Sequence, residues 1–374
     1  MMGTSNPQPS MLYHINLEQF VTADHPMRKI RPLIDTDRIR TLCEPLYSDE
    51  GRPSIPPEQL VLALLGGYLL GVTSERALVR ALPGNLVLRW FVGLDLDTTP
   101  WDHSTFSQNR TRRVNTSGLL EQLCDETVAL AMKRKRVSPH TTLDGTLVQA
   151  NASHKSFVPI EVFLTPDAYK KRIRSLDQDP GNLTVTFHGE PRSNQTHRST
   201  TDPDAKLANK GNGTAAMVGY TVNGLMENRH RFLLGINVET FRGPASETEG
   251  GRGLIDQFHT RHRRRITTVG ADKGYFAKPF LAALFRRRIT PHIAAKTTGR
   301  EGVHPRVRRM GRTVGYQLSQ RARKKIEELW GEAKCWHGFR RFRRRGRWQV
   351  RDEAYLMGWL LNVKRLSKLM PAPA

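Results

Sequence analysis

The stretch Thr141 to Ala150, TTLDGTLVQA, alternates apolar and polar residues with the period of a β-strand, and it carries an acid, Asp144, in its middle. Aspartate is depleted in strands, so Asp144 is either the start of a turn with Gly145 or a functional carboxylate. Upstream, from Asp35 to about Arg136, the period is helical. Pro56 and Pro57 can open a helix bearing Leu60, Leu62, Leu64, Leu65 and Tyr68. Further helices are expected over Glu75 to Leu82, Asn85 to Phe91, Ser104 to Arg113 and Ser117 to about Met132. Such a set suits a helix-turn-helix module or a bundle used for packing and dimer contacts.

Downstream, AsnAlaSer ends the strand, and residues 152 to 216 are rich in Asn, Thr, Ser, Asp, Gly and Pro without an apolar period. They read as a long insertion, partly disordered. Strands follow at Met217 to Leu225 and Arg231 to Thr240, close enough to pair as a hairpin. A helix from Glu247 to His259 leads to a strand, Ile266 to Ala271, that ends at Asp272. Then come a helix (Lys278 to Arg287), a strand (Ile289 to Ile293) and a helix from Ser319 to about Trp336. This order predicts an α/β fold, an RNase H-like mixed sheet covered by helices, preceded by an all-α N-terminal domain. The expected domains are 1–136, helical; 137–339, the sheet with its insertion at 152–216; and 340–374, a basic C-terminal segment.

The 374 residues hold 59 Lys and Arg against 35 Asp and Glu, a net charge of +24. Thirty of those basic residues but only seven of the acidic ones fall after residue 260. A neutral body with a basic end predicts a surface that lies along phosphates. Three cysteines without a CxxC pair support neither a disulfide framework nor a zinc ribbon. The longest apolar stretch, Leu60 to Val72, is too short and too interrupted by Gly to span a bilayer. The expectation is therefore a soluble intracellular protein with no membrane partner.

Under the expected strand order, Asp144, Asp272 and one of Glu327 or Glu328 can converge at the carboxyl edge of the sheet. Two unit charges about 4 Å apart repel by roughly 4 kcal/mol at an effective dielectric of 20. Three converging carboxylates therefore need cations, and oxygen-only ligands suit Mg²⁺, with Mn²⁺ as a substitute, in phosphoryl transfer. Asp272 can equally cap a helix, and the glutamates can be surface partners of nearby Lys and Arg. Helical spacing puts Ile326, Leu329, Trp330 and Ala333 on one stripe and Arg323, Glu327 and Lys334 on a second, which favours Glu327.

Several segments resemble one family. TLDGTLVQANAS (142–153), VGADKGY (269–275) and RARKKIEELWGEAK (321–334) are similar to the first Asp motif, the second Asp motif and the Tyr-Arg-Glu-Lys signature of insertion-sequence DDE transposases of the IS-four/IS-five superfamily. The region from Gly51 to Leu82, the stretch Ser104 to Arg110, and the tail with HisGlyPhe (337–339) and AsnValLysArgLeu (362–366) resemble further parts of that family. The resemblance implies a metal-binding triad of Asp144, Asp272 and Glu327, with Arg323 and Lys334 as DNA contacts. The signature Tyr falls on Gln320 here.

The run from Arg340 to Arg347 interleaves arginines with Phe342, so Arg340, Arg341, Arg343, Arg344 and Arg345 are candidate DNA contacts. The implied activity is metal-dependent cleavage at transposon ends and strand transfer. The implied partners are double-stranded DNA, as terminal inverted repeats and target, and a second copy of the chain in a synaptic complex on the bacterial nucleoid in the cytoplasm. A structure-selective nuclease on the same fold and a noncatalytic DNA-binding derivative are the alternatives.

Overall fold

The computed structural model describes residues 15–48, 50–51, 54–160, 193–209, 215–295 and 309–369. Its centre is a mixed sheet. The strands are β1 (His140–Gln149), β2 (Phe157–Pro159), β3 (His197–Ser199), β4 (Lys206–Ala208), β5 (Met217–Glu227), β6 (Leu233–Thr240), β7 (Thr268–Ala271) and β8 (Thr290–Ile293). β5 pairs antiparallel with β1 and with β6; β7 lies parallel to β1 on its other side, and β8 parallel to β7. The spatial order β6-β5-β1-β7-β8, an antiparallel hairpin on one side and parallel strands reached through helices on the other, is the RNase H-like arrangement. Buried along almost its whole length, β5 reads MVGYTVNGLME, a near-continuous apolar run in place of an alternating one.

Two helices clasp the sheet from opposite faces. Pro244–His262 joins Leu254, Ile255 and Phe258 to a core with Leu143, Leu225 and Val269. Val314–Trp336 sends Ile326, Leu329, Trp330 and Ala333 into the other core, with Val148, Val222 and Met226. Alternation along β1 explains the division, since Leu143 and Val148 point to opposite faces. The second core also takes in the N-terminal helices, among them Pro57–Leu69, which is apolar all round and buried accordingly.

Three expectations change. The helix carrying Glu327 begins at Val314, five residues before Ser319: Thr313 accepts from the backbone of Tyr316 as an N-cap, and the first turns expose Val314 and Leu318, so no buried stripe announces them. The described part of the polar insertion is folded. β2 and β3 pair with each other, β4 joins the edge of β5 beyond β6, and Asp202 accepts from the Tyr220 hydroxyl at 2.6 Å; residues 161–192 and 210–214 lie outside the described residues. The basic segment from 340 onward, within the described residues, leads into a helix, Arg347–Leu369, whose Asp352 to Val363 are buried in the second core against Leu119–Lys133 and β6. Asn362 fixes it there, accepting from the Leu233 N–H at 2.8 Å and donating to its carbonyl at 2.9 Å.

Candidate active site

β1 runs on past the end of β7, and the pairing of His140, Thr141 and Thr142 with Thr268, Val269 and Gly270 carries Asp272 to the level of Asp144. The two aspartates share one cleft of about 490 Å³ with Glu327, Arg323, Lys334, Trp330, Asn209 and a fourth acid, Glu247. Asp272 closes β7 as the cap of a short turn, its Oδ1 accepting from the Gly274 N–H at 2.8 Å. Glu327 is exposed and turned onto Arg323, one helical turn earlier, at 2.9 Å. Lys334 reaches across to β1 and donates to the Leu147 carbonyl at 3.0 Å and to the Thr146 hydroxyl. Gln320, at the signature position of Tyr, donates to the carbonyls of Ala271 and His292 and so ties this helix to the ends of β7 and β8.

Electrostatics sets Asp144 and Glu247 apart from ordinary surface carboxylates. Burial, reinforced by Asp272 and Glu247 and opposed by Arg323, pushes the Asp144 carboxyl up to about 7. Burial and then Asp272 push Glu247 up as well. Among the described residues, no three of these side chains close to the spacing of a filled metal site. Four acids share the cleft with two basic side chains, Arg323 and Lys334, so their mutual repulsion is only partly offset. The donor set fits a hard divalent cation all the same: it consists of carboxylate oxygens, with no thiol or imidazole lining the cleft.

The basic run continues from the same end of the sheet. Gln149, the last residue of β1, donates to the Arg340 carbonyl and accepts from the Phe342 N–H, so residues 340–342 lie alongside the strand that carries Asp144. Arg340, Arg341, Arg343 and Arg345 are exposed there. Arg344 is placed differently: it turns inward to Glu75 at 3.4 Å and to the Thr111 hydroxyl. Glu328, the other glutamate considered, points away from the cleft and pairs with Arg231 at 2.7 Å. Cys335 is exposed, and His337 is held by the Tyr68 carbonyl and Lys364.

Glu247 escaped the sequence reading. It sits in the first turn of a helix, where an acid is ordinary, and no motif marks it. The signal that could have found it is Asn223, a polar residue within the apolar strand VNGLM, buried opposite Gly145 and beside the start of that helix.

Comparison with known proteins places the chain in a family. A family model described as a transposase domain (DUF772) matches residues 15–112, and one described as a transposase DDE domain matches residues 182–363. The second takes in Asp272 and Glu327; Asp144 lies ahead of it. No curated protein matches the chain. Among solved structures, a piggyBac transposase synaptic complex with hairpin DNA is 12% identical over 93% of this chain and 77% of that one, with a TM-score of 0.41. A pre-cleavage Mos1 transpososome is 10% identical over 95% and 97%, with a TM-score of 0.21. Neither score carries the fold, which the strand order has already given. No helix among the described residues is long and apolar enough to cross a membrane. With matched transposase domains over about three-quarters of its length, the chain belongs to the DDE transposases, enzymes that cut DNA at the ends of a mobile element and join those ends to new DNA.

Proposed function

We propose that Asp144, Asp272 and Glu327 hold the divalent cations of this transposase and that Mg²⁺ is the ion used, with Mn²⁺ able to replace it. DDE transposases use divalent metal ions, and DNA is the partner of this chain. The observation that carries the assignment is that three acids distant in sequence line one cleft, where with Glu247 they outnumber the basic side chains Arg323 and Lys334 by four to two. When bound, the ions would supply a lowered pKa to an attacking oxygen and a counter-charge to the leaving one. Asp144 and Asp272 supply fixed oxygens from a strand and from a strand end, so their positions do not depend on the substrate. Glu327 is free to exchange its Arg323 partner for a cation, which releases the guanidinium to a phosphate. Lys334, anchored on β1, presents a point charge on the same wall.

The DNA substrates are the element's terminal inverted repeats and a target duplex. Arg323 and Lys334 contact the backbone next to the scissile phosphate, and Arg340, Arg341, Arg343 and Arg345 follow it along the end of β1. Holding two ends together calls for a homodimer acting on the bacterial nucleoid in the cytoplasm. The helical region 1–136 takes the DNA-binding or dimer contact, 137–339 the chemistry, and the segment from 340 the backbone grip. The test is an end-cleavage and joining assay in Mg²⁺ with the Asp272→Asn protein. Loss of both cut and joined products is the expected result; joined product at the wild-type level overturns the assignment.

A further inference from the structure

Glu247 enters the cleft from the face of the sheet opposite Glu327. The Cβ that Gly145 lacks would stand 3.0 Å from both Cγ and Oε1 of Glu247, and that of Gly274 would stand 2.9 Å from Asp272 Oδ1 and 3.4 Å from Glu247 Oε2. One carboxylate oxygen therefore lies over the strand beside Asp144 and the other over the turn beside Asp272. Any side chain at Gly145 would push the carboxylate out, so these glycines make room for it. No hydrogen bond or ion pair to this carboxylate is found among the described residues.

A buried side chain points to a ligand at the same place. Asn223 is fully buried, and its amide nitrogen donates to Asn237 Oδ1 at 3.0 Å and to the Ser246 carbonyl at 3.3 Å. Those bonds fix the orientation of the amide. Its Oδ1 is left facing Gly145, 3.1 Å from the missing Cβ, with no partner among the described residues. The Tyr275 hydroxyl, 1% exposed and also unpartnered, lies in the field of Glu247, Asp144 and Asp272. The Asn223 oxygen and the Glu247 carboxylate thus meet at Gly145 as acceptors with no donor bonded to either, an arrangement that costs free energy until something fills it. Water can donate to these oxygens but leaves the negative charge in place. A hard divalent cation satisfies both needs.

We propose that Glu247 is a fourth carboxylate of the metal site, facing the cation held by Asp144 and Asp272, with Asn223 positioning it from behind. This rests on the assignment of those two aspartates. The test is Mn²⁺ binding to the full-length protein, followed by the electron paramagnetic resonance signal of free Mn²⁺, with melting temperatures measured with and without Mn²⁺. Glu247→Gln is expected to bind Mn²⁺ at least about tenfold more weakly, to melt no lower than wild type without metal, and to gain less from its addition. Glu247→Asp, whose carboxylate is drawn back from the two glycines, should fall between. Glu249→Gln, which loses only its exposed Arg242 partner, should bind as wild type does. If Glu247→Gln binds Mn²⁺ like wild type while Asp272→Asn does not, the proposal fails and the assignment of the aspartates stands. If Asp272→Asn also binds like wild type, that assignment fails with it. Should Glu247→Gln not fold, wild-type affinity in Glu247→Asp sinks the proposal.

Discussion

Glu121 and Asp144 are both largely withdrawn from water, yet the protein treats them in opposite ways. Glu121, on the helix Leu119–Lys133, receives Arg261, Arg351 at 2.8 Å and the Tyr355 hydroxyl at 2.8 Å. Burial alone would raise its carboxyl, but hydrogen bonds from Arg261 and Tyr355 and the charge of Arg351 hold it below the usual range. Asp144 has Asp272, Glu247 and Glu327 for neighbours, with Arg323 as the counter-charge, and is pushed up to about 7. A chain with 59 basic residues does not lack partners for an acid. Where it needs a carboxylate as structure, it brings arginines from two other helices; in the cleft, most of the positive charge is left to come from outside. The first site is complete as folded, and the second, under the proposed assignment, is complete only with metal and DNA.

Replacing Asp144 by Asn should break that contrast most sharply. Loss of one metal oxygen is expected to lower end cleavage by at least about 10³-fold, roughly 4 kcal/mol in the barrier, measured as single-turnover cleavage in Mg²⁺. Stability should not fall with it. In the metal-free protein the folded chain keeps a proton on Asp144 that the unfolded chain gives up near its ordinary 3.8. Its contribution to stability is thus present below about pH 4 and lost as pH rises through about 7. The melting temperature of metal-free wild type should drop over that window, Asp144→Asn should show a shallower drop, and Mg²⁺ should restore the wild type. A metal-free wild type whose stability rises across the same window would refute this account of the cleft.

Glu121→Ala gives the converse. It leaves Arg261 and Arg351 facing each other beside Tyr355, and removing one partner of such a buried set costs about 3 kcal/mol, read from urea denaturation. Any loss of cleavage should follow the folded fraction, since Glu121 lies away from the cleft. A variant as stable as wild type would mean that these bonds add nothing beyond solvation.

The two regions were unequally legible in the sequence. Asp144 and Asp272 stand at a mid-strand position and a strand end, where periodicity exposes an acid as out of place, and the strand order that unites them follows from alternation and connection length alone. Glu327 needed helical spacing to be told from Glu328. Glu247 and Glu121 could not be found that way, because an acid in a helix's first turn is what the helix dipole favours and its partners come from other elements. The extent of the final helix is hard to read from sequence for a similar reason. Six arginines between 340 and 347 dominate the composition, whereas the apolar residues from Val350 to Val363, with Asp352 and Glu353 among them, declare burial only once Leu119–Lys133 and β6 are in place.

The basic run contains the same contrast in miniature, with the smallest expected effects. Arg341 is exposed beside the end of β1, while Arg344 is half-buried against Glu75 and Thr111. If Arg341 sits on a phosphate, Arg341→Gln should lower the slope of log affinity against log salt by about 0.9, the share of one phosphate on duplex DNA, with an unchanged melting temperature. Arg344→Gln should do the reverse, costing about 1 to 2 kcal/mol by taking from Glu75 one of its two guanidinium partners, with the slope intact. Filter binding of end DNA over a salt series, beside thermal melts of both variants, separates the two. A slope that falls for Arg344→Gln and not for Arg341→Gln would place the DNA on the inward side of this turn, where the fold has put Glu75 and Glu353 instead.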